Sequence, residues 1–259
     1  MTTGDDAAPS DLTLRPARPD DVMALARLFL RARRAAAPDL PLPVQGEDEV
    51  LPHLAAAVDD PGREVWVAAT GTRDAVVGFL VLTPTWLDDL YVDPDHQRRG
   101  VGTALLGLAR SRRPGGFGLW VFATNRAARA FYDRHGLVEL ETTDGSATAE
   151  GAPDVRLVWP GERPLSFLRD AIDEVDDQLA ELLARRTALT AAVQDHKAAA
   201  GTGGGLRGRD AAREAEIVHR MAAHAPGLDE DRLARVMAAV IGESLAAWEE
   251  RRGVASPPT

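Results

Sequence analysis

The sequence predicts two folded units of different class. The first is a mixed α/β unit over residues 12–159, a mixed sheet with flanking helices. The second is an all-α unit of three helices over residues 165–252. Three observations predict this. Up to Trp159, short apolar runs of strand length alternate with stretches of helical period. Pro160 to Pro164 then holds two prolines and a glycine in five residues, the composition of a linker. After it there is no strand pattern, and Leu168, Ile172, Val175, Leu179, Leu182, Leu189 and Val193 recur in steps of four, three and seven, a seam of helical period.

Residues 1–11 read as a disordered tail. Leu12 to Arg15 alternates like a short strand. Pro19 and Asp20 start a helix to about Arg34, with Val22, Leu25, Leu28 and Phe29 on one face. Pro38 to Gln45 is a loop and Glu47 to Val58 a second helix. Strands follow at Glu64 to Ala69, Ala75 to Leu82 and Leu87 to Val92, the last stopped by Asp93 and Pro94. Val101 to Arg112 reads as a helix, Gly116 to Phe122 as a strand, and Arg126 to His135 as a helix stopped by Gly136. Val138 to Thr142 and Val155 to Trp159 complete the unit. In the second unit, a helix from Leu165 to about Ala199 is followed by a glycine-rich connection, Gly201 to Gly208. Helices from Asp210 to Ala223 and from Asp229 to about Arg252 follow, and residues 253–259 read as a tail.

Composition excludes several classes. A net charge of −10 over 259 residues argues against a general binder of nucleic acid or anionic membrane. The chain has no cysteine, so disulfides, thiol nucleophiles and thiolate metal sites are excluded, and a reducing cytoplasm is the expected setting. No apolar run is long enough to span a membrane. His219 and His224 are five apart, off the spacing of a helical metal pair, and no metal is expected.

The long helix carries an anomaly. Its seam should pass through positions 186 and 197, which are Arg186 and Lys197. Cations on an apolar seam are costly unless paired or used. Eleven residues apart, they point the same way, about 16 Å from one another. The helix would be about 50 Å long, more than its own half of the chain could cover. It calls for a partner, and its cations call for an anion.

In the first unit the informative run is Leu87 to Leu106. A strand ends, and Gln97, Arg98, Arg99, Gly100, Val101 and Gly102 open a helix. Glycines let the backbone approach a ligand closely, and unpaired amides at a helix start attract phosphate. With Leu119 to Asn125 and Ala130 to Leu137, in that order and spacing, this run resembles the GNAT superfamily of acyl-CoA-dependent N-acyltransferases over residues 12–159. The resemblance implies acetyl-CoA as donor. The backbone of Leu90, Tyr91 and Val92 would pair with its pantetheine arm, and Arg98, Arg99, Gly100, Val101, Gly102 and Thr103 would hold its pyrophosphate. Asn125 would contact the cofactor, and Tyr132 would protonate the leaving thiolate. The base that takes the proton of the amine acceptor is expected at Asp88 or Asp89. Strand alternation lets one of them face the cleft, and Asp89 is preferred. Relatives that acetylate protein N-termini carry a glutamate on the next strand, where this chain has Trp120, Val121 and Phe122.

In the second unit, Leu168 to Leu179, Leu182 to Arg186, Lys197 and Arg209 to Glu214 resemble the all-helical (AroQ-type) chorismate mutases over about residues 165–250. That family implies an intertwined homodimer, a substrate dianion and no cofactor. Carried over by position, Arg186 and the Arg169 of a second copy would clamp carboxylates, and Lys197 would donate to the ether oxygen. Arg213 would support the carboxylate side, Asp210 and Glu214 would meet the hydroxyl region, and Ser244 would add a hydrogen bond. The chain departs from the family one turn after Ser244. A glutamine or glutamate is usual there as second partner of the ether oxygen, and here it is Trp248. Losing a preorganised donor typically costs about a hundredfold or more in rate. The helical unit is therefore expected to be a mutase, with two alternatives: a dimerisation or sensing module, or an enzyme acting on an amino analogue of chorismate or on isochorismate.

Overall fold

The structure, a computed structural model, describes residues 11–37, 40–41, 46–146, 148–200, 210–225 and 227–255. The expected tail at 1–10, most of the loop at 38–45 and the glycine-rich connection at 201–208 lie outside them. The chain forms two compact units that divide between Arg169 and Asp170, and each is described by itself.

The first unit is built in the order β1 (Thr13–Pro16), α1 (Val22–Ala35), α2 (Glu47–Asp59), β2 (Glu64–Thr70), β3 (Ala75–Leu82), β4 (Leu87–Val92), α3 (Val101–Arg112), β5 (Phe117–Phe122), α4 (Arg126–Arg134), β6 (Val138–Thr142) and β7 (Asp154–Trp159). A 3₁₀ turn over Pro19–Asp21 leads into α1. There the Arg18 N–H donates to Asp21 Oδ2 at 2.7 Å, while Arg15 pairs with the same carboxylate at 2.7 Å. The first of these bonds satisfies the backbone amide of Arg18 at the helix start.

The strands form two sheets, β1-β2-β3-β4 and β5-β7-β6, with antiparallel ladders. Among the described residues one parallel bridge, Trp86 to Gly118, joins them, beside a bond from Gly118 N–H to the Thr85 carbonyl at 2.9 Å. Glycine is required at 118, because a Cβ there would meet the Trp86 ring at 2.9 Å. Among the described residues no ladder bond joins β4 to β5 past that bridge. The sheets part there, and the far end of β4 keeps a free edge.

Two apolar cores sandwich the first sheet. Phe79, Val81, Val65 and Val67 pack under Leu25, Leu28, Val50 and Leu54 of α1 and α2. Leu80, Leu82 and Leu87 pack on the other side with Leu105 and Leu106 of α3, a core that continues through Phe117, Leu119 and Leu157 of the second sheet. Fully buried side chains such as Phe79 and Phe117 each contribute roughly 2–3 kcal/mol relative to exposure.

The second unit holds α5 (Pro164–Ala199) from Asp170 onward, α6 (Ala211–Ala222) and α7 (Glu230–Ala255). Helix α5 begins at Pro164, inside the expected linker, because proline is tolerated in a first helical turn. Helix α7 runs to Ala255, three residues past the expected end, so 253–255 are helical rather than tail. Val218, Leu233 and Met237 form a small core between α6 and α7. The seam of α5 is bare in the single chain: Ile172, Val175, Leu182 and Leu189 are each 58–61% exposed.

Candidate active sites

In the first unit the candidate site lies where β4 leaves β5 and α3 begins. The turn into α3 is shaped by two left-handed residues, Arg98 (φ 57°) and Gly100 (φ 72°). Arg98 is a non-glycine residue in that region, a conformation that costs free energy and recurs at ligand sites. The first helical bond runs from Ala104 N–H to the Gly100 carbonyl at 2.9 Å, so the amides of Val101, Gly102 and Thr103 precede the ladder. Gly100 is the N-cap, without a side-chain cap bond. A Cβ at Gly102 would make ordinary contact with Phe131 at 3.5 Å, so the protein itself leaves room there. Arg98 and Arg99 are exposed beside this turn.

The hydroxyl of Thr103 is engaged elsewhere. His135 Nδ1 lies 2.8 Å from the Phe131 carbonyl, so that nitrogen carries a proton. Its Nε2 then accepts from Thr103 Oγ1 at 3.3 Å in the neutral ring. Thr103 therefore offers a ligand its backbone amide. Asn125 caps α4, its Oδ1 accepting from Ala128 N–H at 3.0 Å, which leaves its side-chain NH₂ to meet a ligand.

The two aspartates do not alternate. Val81 pairs with Asp89 and Leu82 with Leu87, so Asp88 is the extra residue of a β-bulge. The expectation that only one of them faces the cleft rested on regular pleating, which the bulge removes. Leu87 and Leu90, three positions apart, both pack into the α3 core, so the pleat slips by one residue between them. Burial raises both carboxylates, and Asp89 is pushed up to about 6, with the charge of Asp88 adding to the effect. Arg63 Nη1 lies 4.0 Å from Asp88 Oδ2.

Tyr132, on α4, is 7% exposed. Burial, then the nearby Tyr91 and Asp89, push its phenol up, so it stays protonated at neutral pH. Tyr91 is pushed up to about 12 by burial and by Asp89, with the charge of Arg33 working the other way. The unit thus holds a buried, protonated phenol and a carboxylate of raised pKa, two groups suited to acid–base work. Leu90 and Val92 lie on the opposite face of β4, against the α3 core.

Sequence reasoning missed Arg33, Glu150, His53 and Arg63 in this neighbourhood. Arg33 follows Val22, Leu25 and Phe29 at helical spacing, a signal that could have found it. Glu150 stands in the β6–β7 connection, where no periodicity marks it.

In the second unit, Arg186 Nη1 donates to Ser244 Oγ at 3.1 Å, and Thr187 Oγ1 lies 3.3 Å from the same oxygen. Ser244 in turn donates to the Val240 carbonyl at 2.7 Å. α5 and α7 thus meet at a polar rung holding two of the expected site residues. Near it, Trp248 is 2% exposed and donates its indole N–H to Asp195 Oδ1 at 2.8 Å, with Arg252 5.2 Å from the ring centroid. Asp210 is the N-cap of α6, accepting from Arg213 N–H at 3.0 Å, and the Arg213 guanidinium pairs with Glu216 at 2.5 Å. Lys197 closes the last turn of α5, and Glu214 lies in the first turn of α6. Arg169 is exposed on α5, at the end of the first unit.

Known proteins resemble this chain in both halves. The family model of the acetyltransferase (GNAT) domain matches residues 61–139, and that of type II chorismate mutase matches residues 168–248. A peptidyl-lysine N-acetyltransferase, YjaB, of Salmonella typhimurium is 31% identical over 100 residues, which is 39% of this chain and 68% of that protein. A mycothiol acetyltransferase of Parafrankia is 40% identical over 79 residues, 29% of this chain and 24% of that protein. The solution structure of apo YjaB from Escherichia coli superposes with a TM-score of 0.48 at 25% identity, over 58% of this chain and 98% of that one. No helix among the described residues is long and apolar enough to cross a membrane. This chain belongs to the GNAT acetyltransferase family, and it carries a type II chorismate mutase domain after the acetyltransferase domain.

Proposed function

We propose that the chain is bifunctional: an acetyl-CoA-dependent N-acetyltransferase and a chorismate mutase that converts chorismate to prephenate. It acts in the cytoplasm as a homodimer held by the helical unit. For the first activity the carrying observation is the turn into α3 where the sheets part, with Asp89 beside the bulge of β4 and a buried, protonated Tyr132 on α4. The residues present fit the donor: amides at the start of α3 that precede its ladder, two exposed arginines beside them, room over Gly102, and the free edge of β4 at Leu90, Tyr91 and Val92. When bound, acetyl-CoA supplies an acyl thioester. Asp89 takes the proton of the amine acceptor, and Tyr132 holds a proton at Oη for the departing sulfur. Asp88, beside Asp89 on the bulge, favours a cationic amine at the mouth. The acceptor class is a primary alkylamine, and lysine in a peptide is the first candidate, because the relative of Salmonella typhimurium is a peptidyl-lysine N-acetyltransferase.

For the second activity the supporting observation is the Arg186–Ser244 rung on a helix with a bare apolar seam. Holding a dianion in its compact conformer, with cations aimed at developing charge, is what this rearrangement needs. Arg186, Lys197 and Arg213 supply cations from one copy and Arg169 from the other. The exposed seam from Ile172 to Val193 is the surface the second copy covers. A second reading is favoured by the Trp248–Asp195 bond, which commits the indole N–H away from a substrate. In it the helical unit is a dimerisation or sensing module, or takes an amino analogue of chorismate or isochorismate.

Two measurements on the full chain test these readings. Acetyl-CoA should raise the melting temperature of the wild type and leave a Gly102→Glu variant unmoved. Gly102 is preferable to Gly100 for this, since Gly100 is left-handed and any side chain there is strained. Absence of a shift at saturating acetyl-CoA counts against the first activity. Loss of the ultraviolet absorbance of chorismate, with prephenate identified as product, tests the second.

A further inference from the structure

Arg33 occupies the apolar face of α1 and is 7% exposed. A guanidinium buried alone is prohibitively costly, so its partners explain its place. Its Nη2 donates to Glu150 Oε1 at 2.9 Å and to the Pro41 carbonyl at 3.1 Å. Tyr91 packs against the Phe29 ring of the same helix, 4.8 Å between centroids. The Arg33 Cζ lies 5.8 Å from the Phe29 ring centroid and 5.1 Å from that of Phe122. The Glu150 side chain is itself only 11% exposed.

The groups gathered around it come from both sides of the parted sheets. Tyr91 is in β4 and Phe29 in α1, which packs on the first sheet. Phe122 ends β5, and Glu150 lies in the connection between β6 and β7. The guanidinium therefore bridges the opening on the side where Asp89 lies, where no ladder bond does so.

We propose that Arg33 is a positioning residue of the acetyl-transfer site: with Glu150 it ties the two lips of the parted sheets together beside Asp89. The proposal rests on the acetyltransferase reading. One lip carries Asp89 on β4, and the other carries the end of β5, which leads into Asn125 and Tyr132 of α4. A fixed separation between them keeps an amine aligned between base and acyl donor, and small misplacements are costly in rate.

Charge makes the role testable apart from packing. The titratable groups coupled electrostatically to Asp89 are Asp88 and Tyr91 on β4, His53 on α2, Arg63 just before β2, Arg33 on α1 and Tyr132 on α4. Arg33 favours ionised Asp89, and Glu150 offsets the charge of Arg33. Arg33→Met should therefore move the titration of Asp89 to higher pH, whereas Glu150→Gln should move it lower. Each shift should be about half a unit. A residue that merely props the fold would not displace the two variants in opposite senses.

The experiment is a carboxyl-carbon NMR titration of the full chain without cofactor, with the Asp89 signal assigned from Asp89→Asn. It is paired with kcat for acetyl transfer to a lysine peptide. Opposite shifts, with kcat lowered about tenfold in both variants, are the expected result. Arg33→Lys should titrate like the wild type but stay slow, since an ammonium cannot reach both lips. Unchanged titration, or shifts in the same sense, overturns the proposal. If Arg33→Met does not fold, Glu150→Gln decides alone, and an upward or absent shift overturns it. A wild-type chain that fails to bind acetyl-CoA overturns the underlying reading. A chain that binds it but lacks opposite shifts overturns the proposal only.

Discussion

The indole of Trp248 donates its Nε1–H to Asp195 Oδ1 across 2.8 Å, joining α7 to α5 near the rung where Arg186 meets Ser244. Two helices are thereby stapled at a buried aromatic, and the N–H is directed at a protein carboxylate. Trp248→Gln should release this staple and return a flexible donor to the site. If the helical unit is a detuned mutase, its rate on chorismate should rise about tenfold to a hundredfold. Chorismate absorbance followed in both forms decides. Absence of turnover in wild type and variant alike, with the dimer intact, favours a binding module.

Asp89 is pushed up to about 6, and a base must be ionised to act. The kcat/KM of acetyl transfer should therefore fall as pH drops through about 6, because protonated Asp89 cannot accept the amine proton. Asp89→Asn should lower kcat about a hundredfold or more and remove that acidic limb. Asp88→Asn should keep the limb, shifted downward, since the charge of Asp88 raises Asp89. A profile whose acidic limb survives in Asp89→Asn assigns the base elsewhere.

Tyr132 is buried and its phenol is held protonated. Tyr132→Phe keeps the ring and removes one proton. Its kcat should drop about a hundredfold while the acetyl-CoA Kd, measured by calorimetry, stays within about twofold. Equal loss in binding and turnover would instead mark the phenol as a packing residue.

Leu182 sits on the α5 seam and is 61% exposed in the single chain. Burying a charge where a second copy should pack is costly. Leu182→Asp should weaken association about a hundredfold in sedimentation velocity and should take chorismate turnover down with it. A monomeric wild type would leave the seam to some other partner.

Much of this protein is determined by local pattern. The periodicity of α5, the strands from Glu64 to Val92 and the turn from Gln97 to Gly102 are local properties, set by side-chain spacing and glycine placement. The motifs around Tyr132 and Arg186 are local too, so both families are legible in them. Tertiary structure decided what depends on residues far apart in the chain. The bulge at Asp88 arises from the pairing of β3 with β4, and no spacing within Leu87 to Val92 announces it. The Arg33–Glu150 pair spans 117 positions, and its glutamate lies in a loop without period. The Trp248–Asp195 bond likewise depends on how α5 and α7 meet. Burial and charge act through space, so the raised pKa values and the committed donors appear only once the chain is folded.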